Sequence, residues 1–387
     1  MSESNFWHPP AWKWVVALVL VACSALLIVR KPSAKSSKVL LPFMDSHPEW
    51  NGSYPYLIIS TTGIATGSVK FESSILLLQA TVRHEAPVNE FAVDLHSGMF
   101  VLRQTDLFIS DTIPLSLTRT YRAWSPYSRA FGKGANHPYD ICPTGTRFPY
   151  TYMDLNLEDD RTIHFRRISS GTGYADAVFG HDETSSEFYG AKIEWNGNGW
   201  TLDFRDGRQF LFPEAYNAKN FAQGAPIGMR DGNGNRVQLK RDQRRNLTQI
   251  ISPSGRTIAF KYDGDDRITE ARDDAGNVRK YSYDSTGHLE TVADATHVLY
   301  RFEYAPLLHS PGFDPYLMTA IVDGDGKVLL QDFYEDRGQV SKQKLANGDI
   351  YTYEYRFVKD EVAETIVNTP WGKTKLLFQH GRFLSAE

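Results

Sequence analysis

The sequence predicts an all-β protein behind one N-terminal transmembrane helix, with tandem β-hairpins lying side by side as a curved sheet or partial shell. Three observations predict it: the uncharged run WVVALVLVACSALLIV at residues 14–29, period-two apolar alternation through the middle of the chain, and a 21-residue repeat toward its C-terminal end.

Composition sets the bounds. The chain has 387 residues and is 41% apolar, enough for a sizeable core in one large or two to three ordinary domains, which excludes disorder. Lys and Arg number 42 against 46 Asp and Glu, a net charge of −4, so there is no electrostatic case for a nucleic-acid partner. Only Cys23 and Cys142 occur, too few for a disulfide framework or a Cys-based zinc site.

Residues 1–30 read as an N-terminal tail and membrane helix. At about 1.5 Å per residue the uncharged run covers roughly 24 Å, and Lys13 can snorkel to lengthen it. Trp7, Trp12 and Trp14 mark one interface; Arg30, Lys31, Lys35 and Lys38 follow the other end. Leu20-Val21-Ala22-Cys23 resembles a lipobox, so acylation at Cys23 is a competing reading, opposed by the apolar residues that follow. The positive residues on the C-terminal side favour a cytoplasmic bulk, although long domains override that bias.

Residues 31–90 read as a polar tether followed by short strands such as 56–60 and 75–81. Residues 91–230 read as a β domain. Apolar residues alternate at Phe100 and Leu102, at Leu107 and Ile109, and at Leu115 and Leu117, a meander of strands. Met153, Leu155 and Leu157 alternate before the acidic turn Glu158-Asp159-Asp160; Ile163 and Phe165 alternate after it. AKIEW, WTLDF and QFLF are three strands joined by turns at Asn196-Gly197-Asn198-Gly199 and Asp206-Gly207.

Residues 231–387 hold the repeat, about six units with a partial last one. NRVQLKRDQRRNLTQIISPSG, RTIAFKYDGDDRITEARDDAG and NVRKYSYDSTGHLETVADATH align without gaps. The anchors Arg241, Tyr262, Tyr283, Tyr304, Tyr334 and Tyr355 are spaced 21, 21, 21, 30 and 21 residues apart, the long interval holding an insertion near 307–316. An apolar residue two before each anchor, such as Phe260 or Tyr281, shares its face of a strand. Glycines such as Gly255 and Gly276 close the units with turns. Each hairpin is too small to stand alone and must stack on its neighbours.

Tyr-Asp followed by a Gly-centred turn at this period resembles the YD repeats of the Rhs family, which also includes toxin-complex shells and teneurins. The segment DLHSGMFVLRQTDLFISDTIPLSLTRTY resembles the domain that commonly precedes those repeats, through Ser97-Gly98, Thr105-Asp106, Pro114-Leu115 and Arg119-Thr120-Tyr121. The resemblance covers roughly residues 90 to 387. The chain departs from it where Arg241 replaces a Tyr, Ala305 an Asp and His297 a turn Gly. Toxin-encapsulating members have long arrays, a terminal core segment and a toxin beyond it, none of which appears here, so a large closed shell is not expected from this chain alone.

Motifs for catalysis are lacking: there is no GxSxG, P-loop or HExxH, so the chain is read as non-enzymatic with no cofactor and no metal. His84-Glu85 reads as surface. Glu158-Asp159-Asp160 reads as a solvated turn rather than an acid and base for glycoside cleavage. The turns Asp231-Gly232-Asn233-Gly234-Asn235 and Asp323-Gly324-Asp325-Gly326 could ligate calcium, but hairpin chemistry explains them. Tyr262, Tyr283, Tyr304, Tyr334 and Tyr355 are candidates for stacking on sugar rings, because the resemblance associates such repeats with carbohydrate; cross-strand packing is the alternative use of the same rings.

The expected function is a membrane-anchored, non-enzymatic scaffold or recognition surface of the cell envelope, held through residues 14–29 with its bulk outside the cytoplasm. Its partners would be glycans, or another β-rich chain at the open edge of the strip. One rival is a truncated or split remnant of an Rhs toxin-delivery protein acting with a separately encoded partner. A second is an envelope glycan hydrolase, which needs a buried carboxylate pair.

Overall fold

The computed structural model describes residues 39–40, 56–60 and 90–387, apart from 124, 126, 184–185, 308–315 and 380–381. The membrane helix expected at 14–29, Cys23, His84-Glu85 and the strand expected at 75–81 lie outside the described residues. Among the described residues no helix is long and apolar enough to cross a membrane. Helix there is confined to the single turn Phe221–Gly224 and a 3₁₀ turn at Pro138–Asp140.

Among the described residues, two large antiparallel sheets and a two-stranded ribbon of Ser128–Arg129 and Gly132–Lys133 make up the β structure. The smaller has six strands in the order Val39–Leu40, Tyr56–Ser60, Glu90–Asp94, Phe100–Ile109, Leu115–Arg122 and Ala135–Asn136. The larger runs in chain order from Cys142–Gly145 to Arg382–Ala386, each strand paired to the next, and curls into a barrel. Sequential pairing follows from short turns: most connections are only a few residues long, which leaves only the adjacent antiparallel position within reach.

The repeat therefore joins a sheet already under way. The unit boundary expected at residue 230 is bridged by strand pairing, Met229 facing Val237. The hairpins read from AKIEW, WTLDF and QFLF form at Lys192–Trp195, Gly199–Asp203 and Gln209–Pro213. The strands on either side of the insertion pair with each other, the last pair being Pro306 opposite Tyr316.

The apolar alternation at 100–109 changes phase between Leu102 and Leu107, and the cause is a bulge. Phe100–Ile109 is one strand whose register on Leu115–Arg122 shifts between Thr105 and Leu107, leaving Asp106 as the extra residue. A single apolar core runs from Val93 and Phe100 of the smaller sheet to Tyr353 and Phe378 of the larger one. The strands Phe100–Ile109 and Leu115–Arg122 of the smaller sheet, largely buried on both faces, therefore pack against the larger one.

Candidate functional site: the tyrosine ladder and the docked hairpin

The five anchor tyrosines share one geometry. Each ring is half-buried against the core. Each hydroxyl donates to a carbonyl of the preceding hairpin: Tyr262 to Leu247 at 2.9 Å, Tyr283 to Ile268 at 2.6 Å, Tyr304 to Leu289 at 3.0 Å, Tyr334 to Met318 at 2.5 Å and Tyr355 to Val340 at 2.8 Å. The register slips immediately before Tyr262, Tyr283, Tyr304 and Tyr334, and one residue after Tyr355. Such a bulge re-aims the side chain and leaves peptide groups outside the ladder. The hydroxyl caps one of them, and burial holds every one of these phenols above its ordinary pKa, so they remain donors.

Arg241 occupies the first anchor position and performs the same task with a different group. Its Nε donates to the carbonyl of Pro226 at 3.0 Å, 15 residues back, the same interval as from Tyr262 to Leu247. Its remaining nitrogens reach the carbonyls of Arg245 and Tyr139. The departure from the repeat pattern thus keeps the bond and adds a tie to the segment leading into the sheet.

Where an anchor is followed by Asp, that Asp builds the turn. Asp263 Oδ1 accepts the N–H groups of Asp265 and Arg267, and Asp284 Oδ1 those of Thr286 and His288. Asp231 and Asp323 spend their carboxylates in the same way, on Asn233 and Asn235 and on Asp325 and Lys327. Backbone capping thus engages the residues read as calcium candidates.

The strand pair Phe100–Ile109 and Leu115–Arg122 docks on this ladder through its motif residues. Arg119 is buried and forms a bidentate pair with Asp106, at 2.8 and 3.2 Å, and reaches Gln104. The Tyr281 hydroxyl donates to Asp106 at 2.9 Å, and the guanidinium lies 5.3 Å from the centre of the Phe302 ring. The hydroxyl of Tyr121 accepts from the Met318 N–H at 3.2 Å, and its ring meets Tyr304 edge-on. Backbone bonds complete the dock: Ile268 N–H to Ala130, Val340 N–H to Gly98 and Lys133 N–H to Gly287. At Gly98 a side chain would overlap Gln339, and at Gly132 it would overlap the Gly287 carbonyl, so the close approach demands glycine at both.

One expectation is overturned. Glu158-Asp159-Asp160 is not a solvated turn: Asp159 is 1% exposed and Glu158 is buried beside it. Asp159 pairs with Arg161 at 2.6 Å and Arg103 at 3.8 Å, and Asp160 with Arg129 at 3.2 Å. Burial pushes the Asp159 carboxyl up, but Arg161, Arg122 and Arg103 more than offset it and hold it at about 2. Burial and the Asp159 charge raise Glu158, and burial carries Glu187 up to about 8 against the pull of Arg208. Local alternation could not disclose this: Arg161 is a neighbour in sequence, but Arg129, Arg122 and Arg103 come from well upstream, in segments that only the tertiary fold brings to the turn. The arrangement is an ion-pair knot between the two sheets. Neither Glu158 nor Asp159 lines the cleft found near Arg129.

Cys142 is buried, and burial pushes its thiol up to about 12, so it sits as a small apolar side chain.

Comparison with known proteins agrees with this geometry. Residues 92–165, which include the docked hairpin, match the family model described as Domain of unknown function (DUF6531), and residues 262–298, two turns of the ladder, match RHS Repeat. Similar curated proteins include "Double-stranded DNA deaminase toxin A" of Burkholderia cenocepacia (strain H111), 26% identical over 243 residues, with 59% of this chain and 17% of that protein covered. Another is "Probable deoxyribonuclease RhsA" of Dickeya dadantii (strain 3937), 25% identical, covering 58% of this chain and 15% of the relative. The chain thus spans less than a fifth of the length of these relatives. Among solved structures, the crystal structure of TcdB2-TccC3 matches 74% of this chain and 15% of its own, at 12% identity and a TM-score of 0.30. By its repeats and by the domain ahead of them, the chain belongs to the Rhs/YD-repeat family and carries the DUF6531 domain.

Proposed function

We propose that this chain is a wall segment of an Rhs toxin-delivery assembly, a non-enzymatic housing that works with a toxin supplied by another polypeptide or chain segment. The observation that carries the reading is the docking of the hairpin. Gly98, Asp106, Arg119 and Tyr121, residues that carry the family resemblance, are spent on seating the smaller sheet against the larger, and Gly132 adds a close approach to the same dock. A wall needs such a rigid curved sheet and needs no catalytic constellation. The toxin and deoxyribonuclease names of the relatives support delivery over a stand-alone envelope scaffold, while the reactions in those names remain those of much longer proteins.

Residues 14–29 would attach this wall to a membrane, with the barrel on the outer side. The test is a competition assay in the native strain. Deleting the chain should abolish killing of a susceptible neighbour, and re-expression should restore it. Undiminished killing after deletion would refute the delivery role.

A further inference from the structure

Beside the ladder lies a cleft of about 640 Å³, bounded by the strand Cys142–Gly145, the helical turn Phe221–Gly224 and the turns holding Arg244 and Asp266. Its lining has a buried wall and an exposed rim. His137, in the buried wall, is 1% exposed, and both its ring nitrogens lack a hydrogen-bond partner among the described residues. Burial pulls its pKa down to about 4 against the pull of Asp140, so at neutral pH the imidazole offers one donor and one acceptor. An unpaired buried polar group is unfavourable for folding, and a ligand that brings the missing acceptor and donor recovers that cost.

Rings and charges complete the lining. Tyr127 and Tyr216 stand on the rim, 52% and 54% exposed. Phe221 meets Tyr127 edge-on with centres 5.5 Å apart, and the Arg129 guanidinium lies over the Phe221 ring at 4.5 Å. Tyr262 of the ladder contributes only its ring, because its hydroxyl is bonded to Leu247. Each acid of the lining has its arginine: Asp140 is shared by Arg129 and Arg241 at 3.7 and 3.5 Å, Asp265 pairs with Arg267 at 3.1 Å and Asp266 with Arg244 at 3.0 Å. Arg129 also reaches Asp160 at 3.2 Å, and Arg147 pairs with Glu214 at 3.6 Å. Lys219 is exposed and has no ion-pair partner among the described residues, so it supplies the uncompensated charge of the cleft.

The ligand that fits is flat, carries a hydrogen-bond donor and an acceptor on one edge, and bears a negative group. A nucleobase has the flat face and the edge, and its phosphate has the charge. We infer that this cleft binds a nucleoside monophosphate, with the base among Tyr127, Tyr216 and His137 and the phosphate at Lys219. One mononucleotide fits within a cleft of this size, so the site requires no basic track of the kind that a nucleic-acid strand needs. The inference stands or falls independently of the delivery role.

The test is calorimetric titration of the full-length chain, in detergent, with AMP, GMP, CMP and UMP, with the matching nucleosides and with inorganic phosphate. At least one monophosphate should bind saturably and about tenfold more tightly than its nucleoside, while inorganic phosphate alone gives no measurable binding. Lys219→Ala should remove that preference and leave nucleoside binding unchanged, whereas Tyr127→Ala should weaken nucleotide and nucleoside alike by about tenfold. His137→Phe keeps a ring in the buried wall and removes both unpaired nitrogens, so it should abolish binding of the base while Tm stays unchanged or rises. Should it lower Tm instead, Lys219→Ala and Tyr127→Ala, both at exposed positions, decide the matter. Absence of saturable binding by all four monophosphates would overturn the inference, as would binding that survives both of those substitutions. Inorganic phosphate bound as tightly as the nucleotide would reduce the cleft to an anion site and overturn it as well.

Discussion

The Tyr355 hydroxyl donates to the carbonyl of Val340, while the N–H of that same Val340 donates to Gly98 in the turn ahead of the docked strand Phe100–Ile109. Ile268 is used identically, between Tyr283 and Ala130, and Met318 between Tyr334 and Tyr121. At these three bulges a single residue thus offers two peptide groups, one bonded by the next repeat and the other by the docked domain. Repeat stacking and docking are coupled through single residues.

The ladder hydroxyls should be worth measurable stability. Tyr283→Phe keeps the ring and strands the Ile268 carbonyl, so we expect a loss of about 1–3 kcal/mol in denaturant unfolding. Tyr283→Ala should cost about 3–5 kcal/mol, by analogy with other large aromatic truncations. A Tyr283→Ala protein that unfolds like wild type but loses sugar binding would instead return the anchor tyrosines to a stacking role.

The buried pair should be sensitive to removal of one partner. Asp106→Asn leaves the Arg119 guanidinium without its counter-charge among Phe131, Phe302 and Tyr281, so we expect about 3–5 kcal/mol of destabilisation. Asp106→Leu combined with Arg119→Met should cost less than the sum of the two single changes. A double-mutant cycle with no coupling would show that the pair does not hold the hairpin down.

Stability should fall as pH rises through neutrality. Burial raises Asp332 to about 8 and Glu187 to about 8, far above their unfolded values, so each group folds in its protonated form. Their contribution is complete below about pH 4, where the unfolded chain is also protonated, and is lost progressively as pH rises toward 8. Asp159, held at about 2, acts in the opposite sense, and its stabilisation is lost only as pH falls from about 4 toward 2. Asp332→Asn should flatten the upper slope by on the order of 1–3 kcal/mol in melts between pH 5 and 8. An unchanged slope would place the cause elsewhere.

Membrane attachment is tested by fractionation and protease access. The full-length chain should sediment with membranes, and a C-terminal tag should be cleaved in intact cells. A soluble full-length chain would remove the anchor. Protection of the tag until the inner membrane is breached would place the barrel inside, as Arg30, Lys31, Lys35 and Lys38 favour.

The sequence by itself determined the local structure of this protein. Period-two alternation placed the strands, and the Asp and Gly spacing placed turns at Asp263 and Asp284, because side-chain direction and capping depend on neighbours a few residues away. The repeat interval placed Tyr262 through Tyr355 on equivalent positions of successive hairpins. Tertiary structure decided everything that depends on closure. It decided that the sheet begins at Cys142 rather than 231, that the Arg119 hairpin lies against the ladder, and that Asp159 is buried between its neighbour Arg161 and Arg103 of a distant strand. It also decided that Tyr127, His137 and Lys219 line one cleft. The physical reason is range: turns and alternation are set within one hairpin, whereas burial, charge pairing and docking arise only when a curled sheet brings remote segments together.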